Sequence, residues 1–392
     1  MARPGDGVPR LSFQEQFELI RLPPDGAARK YMSTRSAYVP GSDLIADKEM
    51  PTAHKAAFGG HVYGQAALVA LRAQREAETA AGKKSLERQD IHTINGFFTR
   101  PGLPNRPFIY SATPLTSSRT FSTLSVTAAH PASSSVPDHF TPSTTSLGSL
   151  EPPAFTAMVS FKLPEPDSAG VSIQEPPPQT RFKSVLSSKP EAEWPPAPPI
   201  DLDGVVALVG DDQAGAFPIV EMRKVDMSLW NEGKPVHERR ELIVYRLLKP
   251  LPVEPEAEEL EAQGSGGPNA HVVVHAFVAD RNGLLMAANH LGLGWSLGRA
   301  ASLSYSFVMH VNASEAVMTE GQGWWVQEVW FPRAGRGRGI VESKIWSPEG
   351  VHVATEYQDG LIQGWKGADA AAKGHDAIWK GGVGIREGDS KL

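Results

Sequence analysis

Residues 62–71 set the strongest limit on the fold, because wound as a helix they are apolar almost all round. Such a helix has no face to offer water and must be enclosed by other elements. Gly59-Gly60-His61 opens the run and Gly82 closes it, which predicts a helix from about Gly59 to Thr79. Its second half, with Arg72, Arg75, Glu76 and Glu78, is expected to emerge into water. Strand-like runs follow near residues 91–99, 107–115, 120–129 and 155–163. The last alternates, with Phe155, Ala157, Val159 and Phe161 on one face and Thr156, Met158, Ser160 and Lys162 on the other. The unit predicted is an antiparallel sheet wrapped around a buried helix.

The same pattern begins again further on. Strand-like runs at residues 218–225 and 241–248 precede a second apolar helix at about 271–288, then strands near 300–311, 324–331, 339–346 and 352–362. Ser347-Pro348-Glu349-Gly350 supplies the turn between the last two. Each half reads as a buried helix followed by about four antiparallel strands, a duplicated unit. At 392 residues the chain exceeds what one core usually supports, which agrees with two domains. We place them at residues 11–165 and 215–364, with insertions at about 130–153 and 252–269, a Pro-rich linker at 166–214 that crosses the surface, and a tail at 365–392. The fold class is α+β, with two sheets side by side forming one continuous sheet and both helices on its concave side.

Composition narrows the function. A net charge of -6 disfavours nucleic acid as a partner, and no apolar stretch of eighteen or more residues could span a bilayer. Cysteine is absent, which removes disulfides, thiolate metal sites and a cysteine nucleophile together. His92, His130, His271, His275, His290 and His310 show no metal-ligand spacing and are expected to be core or surface histidines, so neither metal nor cofactor is implied. The last three residues, Ser390-Lys391-Leu392, match a peroxisomal address read by an import receptor, so the expected location is the peroxisomal matrix.

Several segments carry a family resemblance. Phe58-Gly59-Gly60-His61-Val62-Tyr63-Gly64-Gln65-Ala66 is similar to a glycine-rich helix start, and the stretch from Ile91 to Gly102 and Ser118-Arg119-Thr120-Phe121-Ser122 follow in matching order. Together they resemble the type II acyl-CoA thioesterases of bacteria and peroxisomes, whose fold is a double hot dog. The resemblance implies hydrolysis of acyl-CoA by an activated water, no cofactor, a possible homo-oligomer, and an active site in the second half. Asp280 falls at the family's helix aspartate, Ser302 at its strand Ser/Thr, and Gln358 at its glutamine. Two departures stand out. His61 replaces a frequent Gln, and Ser304-Tyr305 replaces a frequent Asp-His.

Read on their own, these residues fit that chemistry. Asp280, in the interior of the expected helix among Ala276, Phe277, Gly283 and Leu284, is a carboxylate in apolar surroundings, although an exposed residue or an ion pair with Arg281 would also account for it. Ser302 and Gln358 alone read as polar strand positions. Thioester hydrolysis needs a positioned water, a base and donors for the oxyanion. Asp280 can be the base, Ser302 and Gln358 can orient the water, and a backbone N–H near a helix start can serve the oxyanion. One rival is a non-catalytic acyl-CoA-binding protein of the same fold. The other is a serine hydrolase using Ser296 of Gly294-Trp295-Ser296-Leu297-Gly298, with Asp369 and His375 downstream, but that motif needs a strand before and a helix after. The run Arg333, Arg336, Arg338 reads as a hairpin loop.

Overall fold

A computed structural model of the protein describes residues 10–41, 56–84, 87–133, 139–142, 148–166, 172–209, 217–253, 266–367 and 369–373. His375 and Ser390-Lys391-Leu392 lie outside them. The first half contains β1 (Leu19–Asp25), β2 (Ala28–Ser33), a central helix (Gly59–Ala80), β3 (Asp90–Phe98), β4 (Ile109–Ser117), β5 (Phe121–Ala129) and β6 (Phe155–Lys162). The second contains β7 (Val220–Val225), β8 (Glu241–Leu247), a central helix (Pro268–Ala279), a short helix (Gly283–His290), β9 (Leu297–Met309), β10 (Trp325–Gly335), β11 (Arg338–Trp346) and β12 (His352–Gly364). All twelve strands join one antiparallel sheet in the order β1-β2-β4-β5-β6-β3-β9-β12-β11-β10-β8-β7. This is the continuous double hot dog sheet expected from the sequence. The halves meet where β3 pairs with β9, from Thr93 opposite Val308 to Phe97 opposite Ser304.

The two central helices pack against each other on the same face of the sheet. They can do so because Gly60 and Gly64 carry no side chain. A Cβ on Gly60 would lie 2.9 Å from the carbonyl oxygen of Phe277, and one on Gly64 would lie 3.1 Å from the ring of Phe17. Phe17, Phe58, Phe217 and Phe277, drawn from both halves, stack around this crossing with ring centroids 5.1–5.9 Å apart. β6 alternates as its sequence requires, with Phe155, Ala157, Val159 and Phe161 buried and Met158 exposed.

The structure corrects four expectations. Four strands follow the first helix as expected, but an unexpected hairpin, β1–β2, precedes it, which makes six strands among the described residues of the first half. Pro23 and Pro24 hid β1, and Pro is tolerated there because β1 is an edge strand. Arg75 and Glu78 do not emerge into water but form a buried ion pair at 2.7 Å, with Arg75 also donating to the carbonyl of Gln89. The second apolar helix is two helices, broken at residues 280–282 by Asn282 in the left-handed region (φ 58°). Finally, the described parts of the insertion and the Pro-rich stretch carry core residues. Phe140 packs on Leu22, Met32 and Ile109, and Phe182 and Trp194 pack on Leu242, Val244, Val326 and Trp346. That second layer explains why β8 is a continuous apolar run: Ile243 and Tyr245 face the central helices while Leu242 and Val244 face the Pro-rich stretch.

The loop readings agree with their local chemistry. Gly350 N–H donates to Ser347 C=O at 3.0 Å, closing the turn between β11 and β12. Arg336 and Gly337, both at positive φ, form a two-residue hairpin turn between β10 and β11.

Candidate active site

Asp280 directly follows the second central helix as its C-cap rather than lying in its interior. The break that follows is held by the Pro-rich stretch. Arg281 donates to the carbonyls of Pro198 and Pro199 at 2.7 and 3.0 Å, and Asn282 donates to Pro198 at 2.8 Å. Arg281 also lies over the ring of Phe217, so its guanidinium is not spent on an ion pair with Asp280. These contacts free the helix end to turn Asp280 inward, toward the start of the other central helix.

There, Gly60 N–H donates to Asp280 Oδ2 at 2.6 Å. The site is therefore shared: the carboxylate belongs to the second half and its backbone donor to the first. The helix N-terminus adds favourable partial charge. A Cβ on Gly59 would sit 2.7 Å from Tyr305 Oη and 3.0 Å from Asp280 Oδ2, so only glycine lets the helix approach this closely. A helix-start N–H was expected to serve an oxyanion; the one at Gly60 instead holds the carboxylate.

Asp280, Ser302 and Gln358 come together. Gln358 Nε2 lies 2.7 Å from Asp280 Oδ1 and 2.7 Å from Ser302 Oγ. Gln358 Oε1 is buried and accepts from no described residue. Tyr305, absent from the set read from the sequence, sits between the other three: its hydroxyl donates to Asp280 Oδ1, lies 2.8 Å from Ser302 Oγ and 2.7 Å from Gln358 Nε2. Tyr63 from the first central helix stacks on the Tyr305 ring, with centroids 5.0 Å apart.

Strand register explains how Ser302 and Tyr305 share a face. In a regular strand two residues three apart point to opposite sides. Here Ser304 pairs with Asp359 and Ser302 with Gly360, so Leu303 is an extra residue in β9. That bulge flips the phase and places Ser302 beside Tyr305. Tyr305 itself lies directly opposite Gln358 on β12.

Burial raises the Asp280 carboxyl to about 7, against the opposing pull of Tyr305, Gly60, Gln358 and Arg281. The result is a base that can gain and lose a proton near neutrality. The rival serine site is not assembled in this way. Gly294–Ser296 is a 3-10 turn leading into β9, and Asp369 pairs with Lys373 at 2.9 Å. His61 Nδ1 lies 3.1 Å from Gln16 Nε2. Burial lowers His61, His130, His271 and His275 well below the usual imidazole range, so they are neutral core groups. Among the described residues no cluster of three or more His, Asp or Glu could hold a metal, and no helix is long and apolar enough to cross a membrane.

Comparison with known proteins agrees with this architecture. Residues 46–162 match the acyl-CoA thioesterase N-terminal domain family and residues 259–362 the acyl-CoA thioesterase C-terminal domain family. No curated protein sequence matches the chain. Among solved structures, the acyl-CoA thioesterase II TesB2 from Mycobacterium marinum is similar at a TM-score of 0.55 and 19% identity, over 91% of this chain and 98% of that one. A tesB protein of Mycobacterium avium subs paratuberculosis gives 0.52 and 17%, over 90% and 98%. A hot dog protein from Alicyclobacillus acidocaldarius gives 0.52 and 13%, over 90% and 97%. With both domain families in order along one polypeptide and the double hot dog sheet they build, the chain belongs to the acyl-CoA thioesterase family and is a thioester hydrolase.

Proposed function

We propose that the protein hydrolyses acyl-CoA to a free acid and CoA using a water activated by Asp280. The observation that carries this reading is the single hydrogen-bonded cluster in which Gln358 and Tyr305 join Asp280 to Ser302 at a helix N-terminus. Asp280 takes the water's proton as the water oxygen attacks the thioester carbonyl. Ser302 and Gln358 hold the water, and Tyr305 and Gly60 hold the carboxylate in place. Gln358 has two N–H groups facing three oxygens, so one of those oxygens is always left to accept a hydrogen bond from an entering water. The non-catalytic alternative is disfavoured because a pure binding site has no need of a base buried this completely.

Release of free thiol from acyl-CoA separates the readings. Ser302→Ala should lower kcat about tenfold, the value of one lost hydrogen bond of about 1.4 kcal/mol. Ser296→Ala should leave it unchanged. Abolition of activity by Ser296→Ala, with Ser302→Ala unaffected, would assign the reaction to a serine nucleophile.

We further propose peroxisomal location, supported by the sequence of Ser390-Lys391-Leu392 alone. An N-terminally tagged protein lacking these three residues should remain active and move to the cytosol. Persistence of the truncated protein in peroxisomes of cells without a full-length copy would reject that address.

A further inference from the structure

Glu356 is a fully buried carboxyl for which no described residue supplies a hydrogen bond to either oxygen. An unpaired buried charge of this kind is costly enough that the group must either neutralise or serve a purpose. Its position is specific. Glu356 stands two residues before Gln358 on β12, hence on the same inner face, between Phe307 of β9 and Ser343 of β11. Phe307 offers no polar atom, and Ser343 Oγ, which accepts from Gln327 at 3.0 Å, makes no hydrogen bond to Glu356. From the first central helix Tyr63 lies near both Glu356 and Asp280, its hydroxyl buried with no partner among the described residues. Gln358 Oε1 shares that condition. Glu356, Tyr63 and Gln358 thus contribute four buried polar atoms without partners among the core side chains near Asp280.

Resting on the reading of Asp280 as base, we propose that Glu356 is the second acid–base group of this site, the neutral carboxyl that gives its proton to the sulfur of the leaving CoA. The charge of Asp280 disfavours a second charge on Glu356. Burial, then the charge of Asp280, holds the Glu356 carboxyl well above the usual carboxylate range. The other groups facing the pair are Gly60 N–H and Tyr63 on the first helix, Arg281 beyond the second, Tyr305 on β9 and Gln358 on β12. Of these, Gly60, Tyr305, Gln358 and Arg281 all favour the ionised form of Asp280, and none is hydrogen-bonded to Glu356. Ionisation therefore falls on Asp280 and the proton stays on Glu356. Two carboxyls pushed apart in this way divide into base and acid.

The proton count closes. The water oxygen bonds to the carbonyl carbon and one water proton passes to Asp280. As the carbon–sulfur bond breaks, the sulfur takes the bonding pair and the proton of Glu356. Asp280 then releases its proton and Glu356 regains one through water, and the acid product leaves with the second water proton.

Full-length Glu356→Gln keeps the neutral shape and removes the transferable proton. With acyl-CoA its kcat should fall about 100-fold, the lower range of general-acid assistance, and the alkaline limb of the pH profile should vanish while the acid limb stays. With the same acyl group on an aromatic thiol, far more acidic than an alkyl thiol of about 8.5, no proton is needed and the variant should come within a few-fold of wild type. Asp280→Asn should not be rescued by that substrate. A merely structural Glu356 would lose activity equally on both thiols, and that outcome overturns the proposal. If Asp280→Asn is active, the reading of the base fails; if Asp280→Asn is dead but Glu356→Gln keeps full activity and its alkaline limb, only this inference fails. Should the Gln variant not fold, wild type decides: kcat nearly independent of leaving-thiol acidity supports proton donation, and a steep dependence rejects it.

Discussion

Replacing Asp280 by Asn should lower kcat about 1000-fold while leaving the fold intact, because the change removes a general base and little volume. Asn retains an oxygen for the donors of Gln358 or Gly60, which bind the carboxylate at 2.7 and 2.6 Å. The pH dependence has a definite sign. With the carboxyl raised to about 7, the ionised base is lost as pH falls through that value, so wild-type kcat/KM should drop about tenfold per unit below it. Stability runs the other way. A carboxyl whose folded value exceeds its unfolded one contributes stability that is present at acid pH and lost as pH rises toward 7. Asp280→Asn should therefore match or exceed wild type in Tm at pH 8. Free-thiol release and thermal unfolding of the same preparations test both statements. A folded variant with activity within tenfold of wild type would sink the assignment of Asp280.

What the sequence made legible here were its periodicities. The enclosed helix was readable from residues 62–71 because nothing but enclosure suits an apolar cylinder, and β6 was readable from strict alternation. What it hid were the places where periodicity is interrupted. The break at residues 280–282 depends on carbonyls of Pro198 and Pro199 some eighty positions earlier, so no local pattern announces it. Tyr305 was set aside as a departure from the family, and regular alternation puts it on the face opposite Ser302. The extra residue Leu303 reverses that, and a one-residue register shift leaves no trace in composition. In the sequence Glu356 is one more polar position two residues before Gln358. Its burial and lack of partners are tertiary facts. The Pro-rich stretch reads as a spacer by composition, yet Phe182 and Trp194 are the residues that anchor it to the sheet.

Residues 217–367 expressed alone should fail to fold cooperatively, the second large effect the architecture implies. Cutting between the halves exposes the edge of β9 that pairs with β3 from Thr93 to Phe97. An open central edge is a template for aggregation. The central helix loses its partner as well. Phe277 and Phe217 pack on Phe17 and Phe58 of the other half, and uncovering an aromatic side chain costs about 1.5–3 kcal/mol. Two such losses come to about 3–6 kcal/mol, comparable to the whole stability of a typical domain at 5–15 kcal/mol. Polar links are cut at the same stroke. Asn269 Oδ1 accepts from Ile91 N–H at 2.9 Å, and Leu11 C=O accepts from Ile219 N–H at 2.8 Å. Asp280 loses Gly60 N–H, so the half-protein would lack a complete site even if it held together. Size-exclusion chromatography with urea unfolding followed by near-ultraviolet circular dichroism checks this. A soluble monomer with a sharp urea transition would show that the halves are independent domains and that the seam between β3 and β9 is an interface of convenience; aggregation or a gradual, non-cooperative loss of signal is the expected result, with co-expression of residues 1–216 restoring both the transition and thioesterase activity.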